Sequence, residues 1–187
     1  MRIRVIALLA LLSFSAAAER RTEPRIDGLT AITNGGGMVS VRFLLADAFQ
    51  NNNTVQALQS GLPTSFTYVI EIYRARSKWF DEGIDRSRIE VIASFNSVTR
   101  EYLLNYRRDR KLVRSETLSD HETLQKRMTT IDEPGLFDIG TRRPHSVRVR
   151  VKADFGRGFL LYVIPWKIST PWREVPVAAA PEVTSSR

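Results

Sequence analysis

The sequence predicts an all-β protein, an Ig-like antiparallel β-sandwich of seven or eight strands with two short helices. Three observations predict it. Large apolar residues recur at every second position in stretch after stretch, the period of a strand with one face in a core and the other in water. Turn signatures rich in Gly, Asn and Asp separate those stretches at the spacing of a sandwich. Helix punctuation occurs at only two places, and each candidate helix is too short to form a layer of its own.

The chain opens with Arg2 and Arg4, then the ten-residue apolar run "VIALLALLSF", then small residues in "SAAAE". This is the pattern of an export signal, with the cut expected after Ala18. The apolar run falls short of the ~20 residues that a spanning helix needs, and the longest later run is "FLLYVI". The expected organisation is a signal peptide over 1–18, one sandwich domain over 19–175 and a flexible tail over 176–187. The mature chain is expected to be exported, periplasmic or envelope-associated, and without a transmembrane segment.

A first strand is expected near Ile26–Ile32. The hairpin turn Asn34–Gly37 joins it to a second, in which Val39, Val41, Phe43 and Leu45 alternate with their neighbours. "NTVQALQSGLP" then forms a short helix, with Asn53 or Thr54 as N-cap, Gly61 as the left-handed stop and Pro63 just beyond. The third strand, "TSFTYVIEIYRARSKWF", changes character halfway: Phe66, Tyr68, Ile70 and Ile72 form an apolar face that continues as Arg74, Arg76 and Lys78. A strand of roughly fifteen residues would be ~50 Å long, more than a sandwich of this size covers, so the cations are expected past the core boundary. A bulge near Tyr73 would produce the same switch.

Ile89, Val91, Ala93 and Phe95 mark a fourth strand, and Tyr102, Leu104 and Tyr106 a fifth. Arg107–Lys111 turns into "LVRSETL". "SDHETLQKRM" forms the second helix behind a Ser119/Glu122 capping box, with Leu124 and Met128 on one face. Val147, Val149 and Val151 oppose Arg148, Arg150 and Lys152 in the clearest alternation of the chain. Phe155–Gly158 is expected to turn that strand into "FLLYVIPW".

The absence of cysteine excludes a disulfide framework, a lipid-attachment thiol and a thiolate metal site. Stability must come from the core, which about 170 residues suffice to build. The net charge is +8, or +6 without Arg2 and Arg4, carried by 23 Arg against 5 Lys. Arginine's planar fork suits phosphate and carboxylate, while net charge itself speaks of association rather than fold.

Two histidines, His121 and His145, make no His-rich metal centre and show no ligand spacing. His121 is expected as a solvated helix residue. No Gly-x-Ser-x-Gly elbow is present, and Asn34–Gly37 lacks the P-loop pattern. Carboxylates such as Glu71, Asp81 and Glu82 have arginine neighbours to balance them. No catalytic residue, cofactor or metal is expected, and the chain does not read as an enzyme.

The cations are the candidate binding set. Arg107, Arg108, Arg110 and Lys111 crowd a hairpin tip, Arg74 and Arg76 extend the third strand, and Arg148 and Arg150 share a strand face. Such a set suits an anionic lipid or glycolipid of the envelope, or an acidic envelope protein. Nucleic acid is not expected, since no nucleic-acid-binding signature accompanies the charge. Trp79 is the candidate exposed aromatic, whereas Trp166 and Trp172 are expected to pack.

The stretch "FLLADAFQNNNTVQALQSGLPTSFTYVIEIYRARSKWFD" resembles the bacterial DUF4390 family, a domain of unknown function. "ALQSGLPTSFTYVIEIYRAR" carries most of the resemblance. "REYLLNY", "SETLSDHETL" and "VIPWKISTPWREV" fit its outline, over roughly Ile26 to Val175. The resemblance implies an exported, envelope-associated protein and lends no catalytic residue. The combined expectation is a non-catalytic binding or assembly module of the envelope. The alternative, an envelope enzyme acting on glycan or peptide through carboxylates, would need a convergent Asp/Glu pair in a closed pocket.

Cleavage after Ala18 predicts Glu19 as the first residue of protein recovered from the periplasm. N-terminal sequencing checks this, and an intact Met1 in the membrane fraction contradicts it.

Overall fold

The computed structural model describes residues 23–34, 36–50, 52–76, 81–160 and 164–180. Its elements are β1 (Arg25–Thr33), β2 (Met38–Ala46), α1 (Asn52–Gln59), β3 (Thr64–Arg74), β4 (Glu82–Asn96), β5 (Glu101–Arg108) and β6 (Lys111–Leu118). After these come α2 (His121–Thr129), β7 (Thr130–Asp138), a 3-10 turn at Pro144–Ser146, β8 (Val147–Leu160), β9 (Ile164–Ser169), β10 (Arg173–Pro176) and β11 (Ala178–Ala179). Two sheets enclose one core. The smaller runs β11-β1-β2-β7; the larger runs β10-β8-β3-β4-β5-β6, with β9 also paired to β8. All neighbours are antiparallel except β11, which lies parallel to β1.

The predicted alternation builds this core. Phe66, Tyr68, Ile70 and Ile72 of β3, Val147, Val149 and Val151 of β8, and Ile89, Val91 and Ala93 of β4 all face Val39, Val41, Phe43 and Leu45 of β2, and all are buried. Phe43 meets Tyr68 edge-on across the sheets, with ring centroids 5.3 Å apart. A buried phenol needs a partner, and the Tyr68 hydroxyl donates to Met128 O of α2 at 2.7 Å. Bulges keep apolar residues inward where strict alternation would fail. Gly28, at φ +60°, sits where the β1–β2 register shifts between Asp27 and Thr30, so Ile26 and Leu29 both reach the core.

The sandwich has eleven strands among the described residues, more than the seven or eight expected. The unanticipated β7 contains Pro134 and Gly135, which ordinarily argue against a strand. It is an edge strand, and its ladder skips from Val41↔Glu133 to Val39↔Phe137, leaving the Pro-Gly step in a bulge where Gly135 N–H donates to Ser40 Oγ at 3.1 Å. Residues 176–180, expected as the start of a flexible tail, are ordered into β10 and β11. Val177 is buried and donates its N–H to Val147 O at 3.0 Å, and Ala178–Ala179 pair with Ile32–Thr33. The expected signal peptide over 1–18 and the rest of the expected tail, beyond 180, lie outside the described residues.

Three local expectations change. β3 ends at Arg74, not near Phe80, and Arg76 follows it. The bulge near Tyr73 exists, but β4 carries it: Ile72 pairs Asp85 and Tyr73 pairs Gly83, making Ile84 the extra residue. Phe155–Gly158 is not a turn; it continues β8 through a register shift and pairs with β9, and residues 161–163 lie outside the described residues.

The helices follow their punctuation with two amendments. α1 ends as predicted: Leu62 N–H reaches Ala57 O and Gly61 N–H reaches Leu58 O at 3.0 Å each, with Gly61 at φ +76°. It begins at Asn52, so Asn53 and Thr54 are inside its first turn, not at the cap. The α2 cap is Asp120, not Ser119. Its carboxylate accepts from Thr123 N at 2.6 Å, and these hydrogen bonds to Thr123 hold its pKa below the usual carboxylate range. His121 is half-buried and not solvated, with its ring 5.8 Å from Tyr102 and 6.3 Å from Phe49. In the β1–β2 hairpin, Gly37 is obligatory: φ is +81°, and a Cβ there would lie 2.6 Å from Gly140 O. No described helix is long and apolar enough to cross a membrane.

Ile70→Ala removes fully buried methylenes at the centre of β3 and is expected to cost ~2–5 kcal/mol. Arg76→Ala, at an exposed ion pair beyond the strand, is expected to cost under about 1 kcal/mol. Denaturant melts of the two variants measure both.

Candidate functional site

Alternation along β8 turns Arg148, Arg150 and Lys152 onto the outer face of the larger sheet. Register places Glu174, Arg150, Glu71 and Arg86 in one row across β10, β8, β3 and β4. Arg150 Nε and Nη2 lie 2.7 and 2.6 Å from Glu71 Oε2, and Arg86 approaches the other oxygen at 3.6 Å. Arg148 Nη2 is 3.1 Å from Glu174 Oε1, while Tyr73 donates its hydroxyl to Glu174 Oε2 at 2.6 Å. Burial, then that hydrogen bond, raises the Tyr73 pKa. The Arg150 guanidinium lies between two aromatic rings, 4.8 Å from Trp172 and 5.2 Å from Tyr73, and Lys152 Nζ is 5.3 Å from Trp172. Trp172 was expected to pack; it covers these cations and stays 41% exposed. Arg86, Arg148, Arg150 and Lys152 thus each have a carboxylate within 4 Å.

Arg74 and Arg76 converge on Glu82, at 3.4 and 2.5 Å. Trp79 and Lys78 lie outside the described residues.

The β5–β6 tip is built differently. Asp109 and Arg110 have φ of 48° and 70°, the two positive values that a type I′ hairpin turn requires. The Asp109 carboxylate folds back onto β4, accepting from Arg88 N–H at 2.8 Å and Ser87 Oγ at 3.1 Å. Asp109 N–H donates to Arg88 O at 2.8 Å. The tip is thereby clasped to the sheet. Arg108 points inward, 3.0 Å from Glu133 Oε2 on β7 of the other sheet, and the buried Glu133 also accepts the Tyr106 hydroxyl. Burial, followed by that contact with Glu133, pushes the Tyr106 phenol far above its ordinary pKa. Arg114 stacks over the Tyr106 ring at 5.3 Å.

Of the eight cations singled out from the sequence, Arg74, Arg76, Arg108, Arg148 and Arg150 are thus paired with carboxylates within the fold, Arg74 and Arg76 sharing Glu82. Arg107, Arg110 and Lys111 are exposed and have no ionic partner among the described residues. Beside them, Leu112 and Val113 are 59% and 54% exposed. The structure therefore divides the predicted set into a charge-laced face and one free basic tip. Sequence reasoning missed the residues that enforce the division: Glu133, Asp109 and Trp172. A signal existed for Asp109, since Asp favours the first position of a type I′ turn; Glu133 sat in a strand masked by Pro134.

An open cleft of about 370 Å³ is lined by Glu71, Asp81 and Asp85 together with Tyr73, Arg86 and Arg150, and Glu71 there is committed to both arginines. Among the described residues no group of three or more His, Asp or Glu is placed to hold a metal ion.

Fold and surface define a two-sheet β-sandwich whose outer-face cations on β8 are paired with carboxylates and whose basic hairpin tip is not. The chain belongs to the family described as Domain of unknown function (DUF4390), whose model matches residues 29–175. That span runs from β1 into β10 and includes the tip. No curated protein and no solved structure matches the chain.

Tyr106→Phe removes a donor from the buried Glu133 carboxylate and is expected to cost ~1–3 kcal/mol. The Tyr68, Tyr73 and Tyr106 phenols all have raised pKa values in the fold. Their stabilisation is whole below the unfolded phenol pKa of about 10 and declines as pH rises above it, because the unfolded chain then loses protons first. Denaturant melts from neutral to about pH 11 are expected to show that decline, with a shallower slope for Tyr106→Phe.

Proposed function

We propose that this protein is an exported, non-catalytic binding module of the bacterial envelope, and that the β5–β6 tip contacts an anionic envelope component. One observation carries the reading: Arg107, Arg110 and Lys111 are neighbours at a clasped tip, without ionic partners among the described residues, whereas the other five candidate cations each lie against a carboxylate. Like charges gathered at a hairpin tip repel one another, a small cost in water that a bound anion relieves. The Asp109 clasp fixes the tip before binding, so little ordering entropy is lost on contact. The export pattern at Met1–Ala18 supports placement in the envelope. The commitment of Glu71 to arginines supports binding over acid–base catalysis.

The test compares wild type with Arg107→Gln/Arg110→Gln/Lys111→Gln by co-sedimentation with phosphatidylglycerol-containing vesicles at low and moderate salt. Arg42→Gln/Arg100→Gln/Arg173→Gln removes the same charge elsewhere and serves as the control. The tip variant is expected to keep its melting temperature and lose the salt-sensitive binding; the control is expected to retain most of it. Equal sedimentation of all three proteins at every salt concentration overturns the reading.

A further inference from the structure

The edges of the two sheets are treated unequally. Natural sheets blunt exposed edges with prolines, bulges, short strands or charge, because a free edge templates further pairing. Here β7 is interrupted by Pro134-Gly135, β9 contains Pro165, β10 has four residues and ends in Pro176, and β11 has two. β6 has eight residues, no proline and no glycine, and pairs only with β5 among the described residues. Six of its residues, including Leu112 and Val113, are exposed.

The direction of its free backbone groups follows from the ladder. Asp109 N–H donates to Arg88 O, which makes Arg88 and Asp109 a hydrogen-bonded pair; alternate residues then place the Arg107 and Asn105 backbone toward β4, and that of Tyr106 and Leu104 toward β6. Tyr106 and Leu104 are opposite Arg114 and Glu116, so Ser115 and Thr117 turn their N–H and C=O groups outward. The Ser115 Oγ contact with Asn105 Oδ1 at 2.8 Å fits this, since side chains approach most closely in non-hydrogen-bonded pairs.

Charge specifies what such an edge accepts. Lys111 and Arg114 lie on β6, Lys126 and Arg127 on the adjoining α2, and the one carboxylate of the strand, Glu116, is already approached by Arg114 and Arg127 at 3.9 and 3.8 Å. A second copy of the chain would bring the same excess of cations. We propose that β6 receives an extended, acidic segment of a partner polypeptide as an added strand. Backbone hydrogen bonds from Ser115 and Thr117 would hold it, and carboxylates would lie against Lys111, Arg114 and the basic tip. This deepens the anionic-contact reading by naming the ligand as peptide, and it rests on that reading for the charge.

The probe is an alternating Glu–Val peptide of the length of β6, followed by fluorescence polarisation. Its controls are the same peptide N-methylated at alternate residues, which keeps the charge and removes the backbone donors, and the protein variants Thr117→Pro and Thr117→Ala. Proline is tolerated where an edge N–H faces solvent, and melting checks that the variant folds. The unmodified peptide is expected to bind wild type and Thr117→Ala alike, and Thr117→Pro roughly tenfold or more weakly; the N-methylated peptide is expected to lose binding by a similar factor. Equal binding of both peptides to wild type overturns the added strand even if Thr117→Pro does not fold, and so does no binding at all. Self-association of the free protein that Thr117→Pro abolishes would assign the edge to a second copy and also overturns it. In each of these outcomes the tip variant in the vesicle assay still decides the broader reading separately.

Discussion

Glu133 is a carboxylate inside an apolar sandwich, and much of the surface arrangement depends on how it is satisfied. A charge taken out of water is tolerated only with close, well-aligned partners. Here the partners come from the opposite sheet: the Tyr106 hydroxyl and the Arg108 guanidinium. Because both lie on β5, the contact pins the outer part of the larger sheet to β7. It also draws one cation of the tip inward and sets the others outward. The Asp109 clasp onto Ser87 and Arg88 then fixes the end of the same hairpin from the other side. The free basic tip is a consequence of these two carboxylates.

The same logic separates the two faces of the larger sheet. On the inner face, strict alternation from β8 to β5 supplies apolar side chains until Arg108 ends the row. On the outer face, cations of β8 and β4 meet Glu71, Glu90 and Glu174, and Trp172 covers the most crowded of them. Exposed pairs of this kind add little stability individually. Their effect is to pair Arg86, Arg88, Arg148 and Arg150 within that face, so that of the eight candidate cations Arg107, Arg110 and Lys111 are the ones left without a carboxylate partner among the described residues.

The strands with unbroken alternation were readable from the sequence: Val39 to Leu45, Phe66 to Ile72, Ile89 to Ala93 and Val147 to Val151 are all where their period puts them, while Phe95, at the end of β4, is only half-buried. What escaped was everything that departs from period two for a tertiary reason. β7 hides behind Pro134 and Gly135, which a bulge accommodates. The last strands are too short for a pattern and exist because Val177 finds the β8 end and Ala178 finds β1. Phe155–Gly158 has turn composition but lies in a bulged continuation of β8. For the candidate site, clustering at Arg107–Lys111 was visible, whereas its division was not. Pairing of Arg108 with Glu133, or of Arg150 with Glu71, joins residues 25 and 79 positions apart, and single-chain periodicity carries no information about such partners.

Binding at the tip and pairing at the β6 edge make different physical demands on a ligand. A membrane surface offers charge over an area but no row of backbone donors and acceptors, and screening by salt weakens it within a Debye length of about 8–10 Å. An added strand satisfies directed hydrogen bonds that salt scarcely affects, and uses the cations to select its partner and orient it. β6 offers both at once: outward backbone groups at Ser115 and Thr117, and cations at its tip and on α2. An extended acidic polypeptide meets both demands, where a lipid headgroup meets only the second. A salt-insensitive remainder of binding, lost when the edge is blocked, is therefore the physical signature that separates strand addition from charge attraction on this surface.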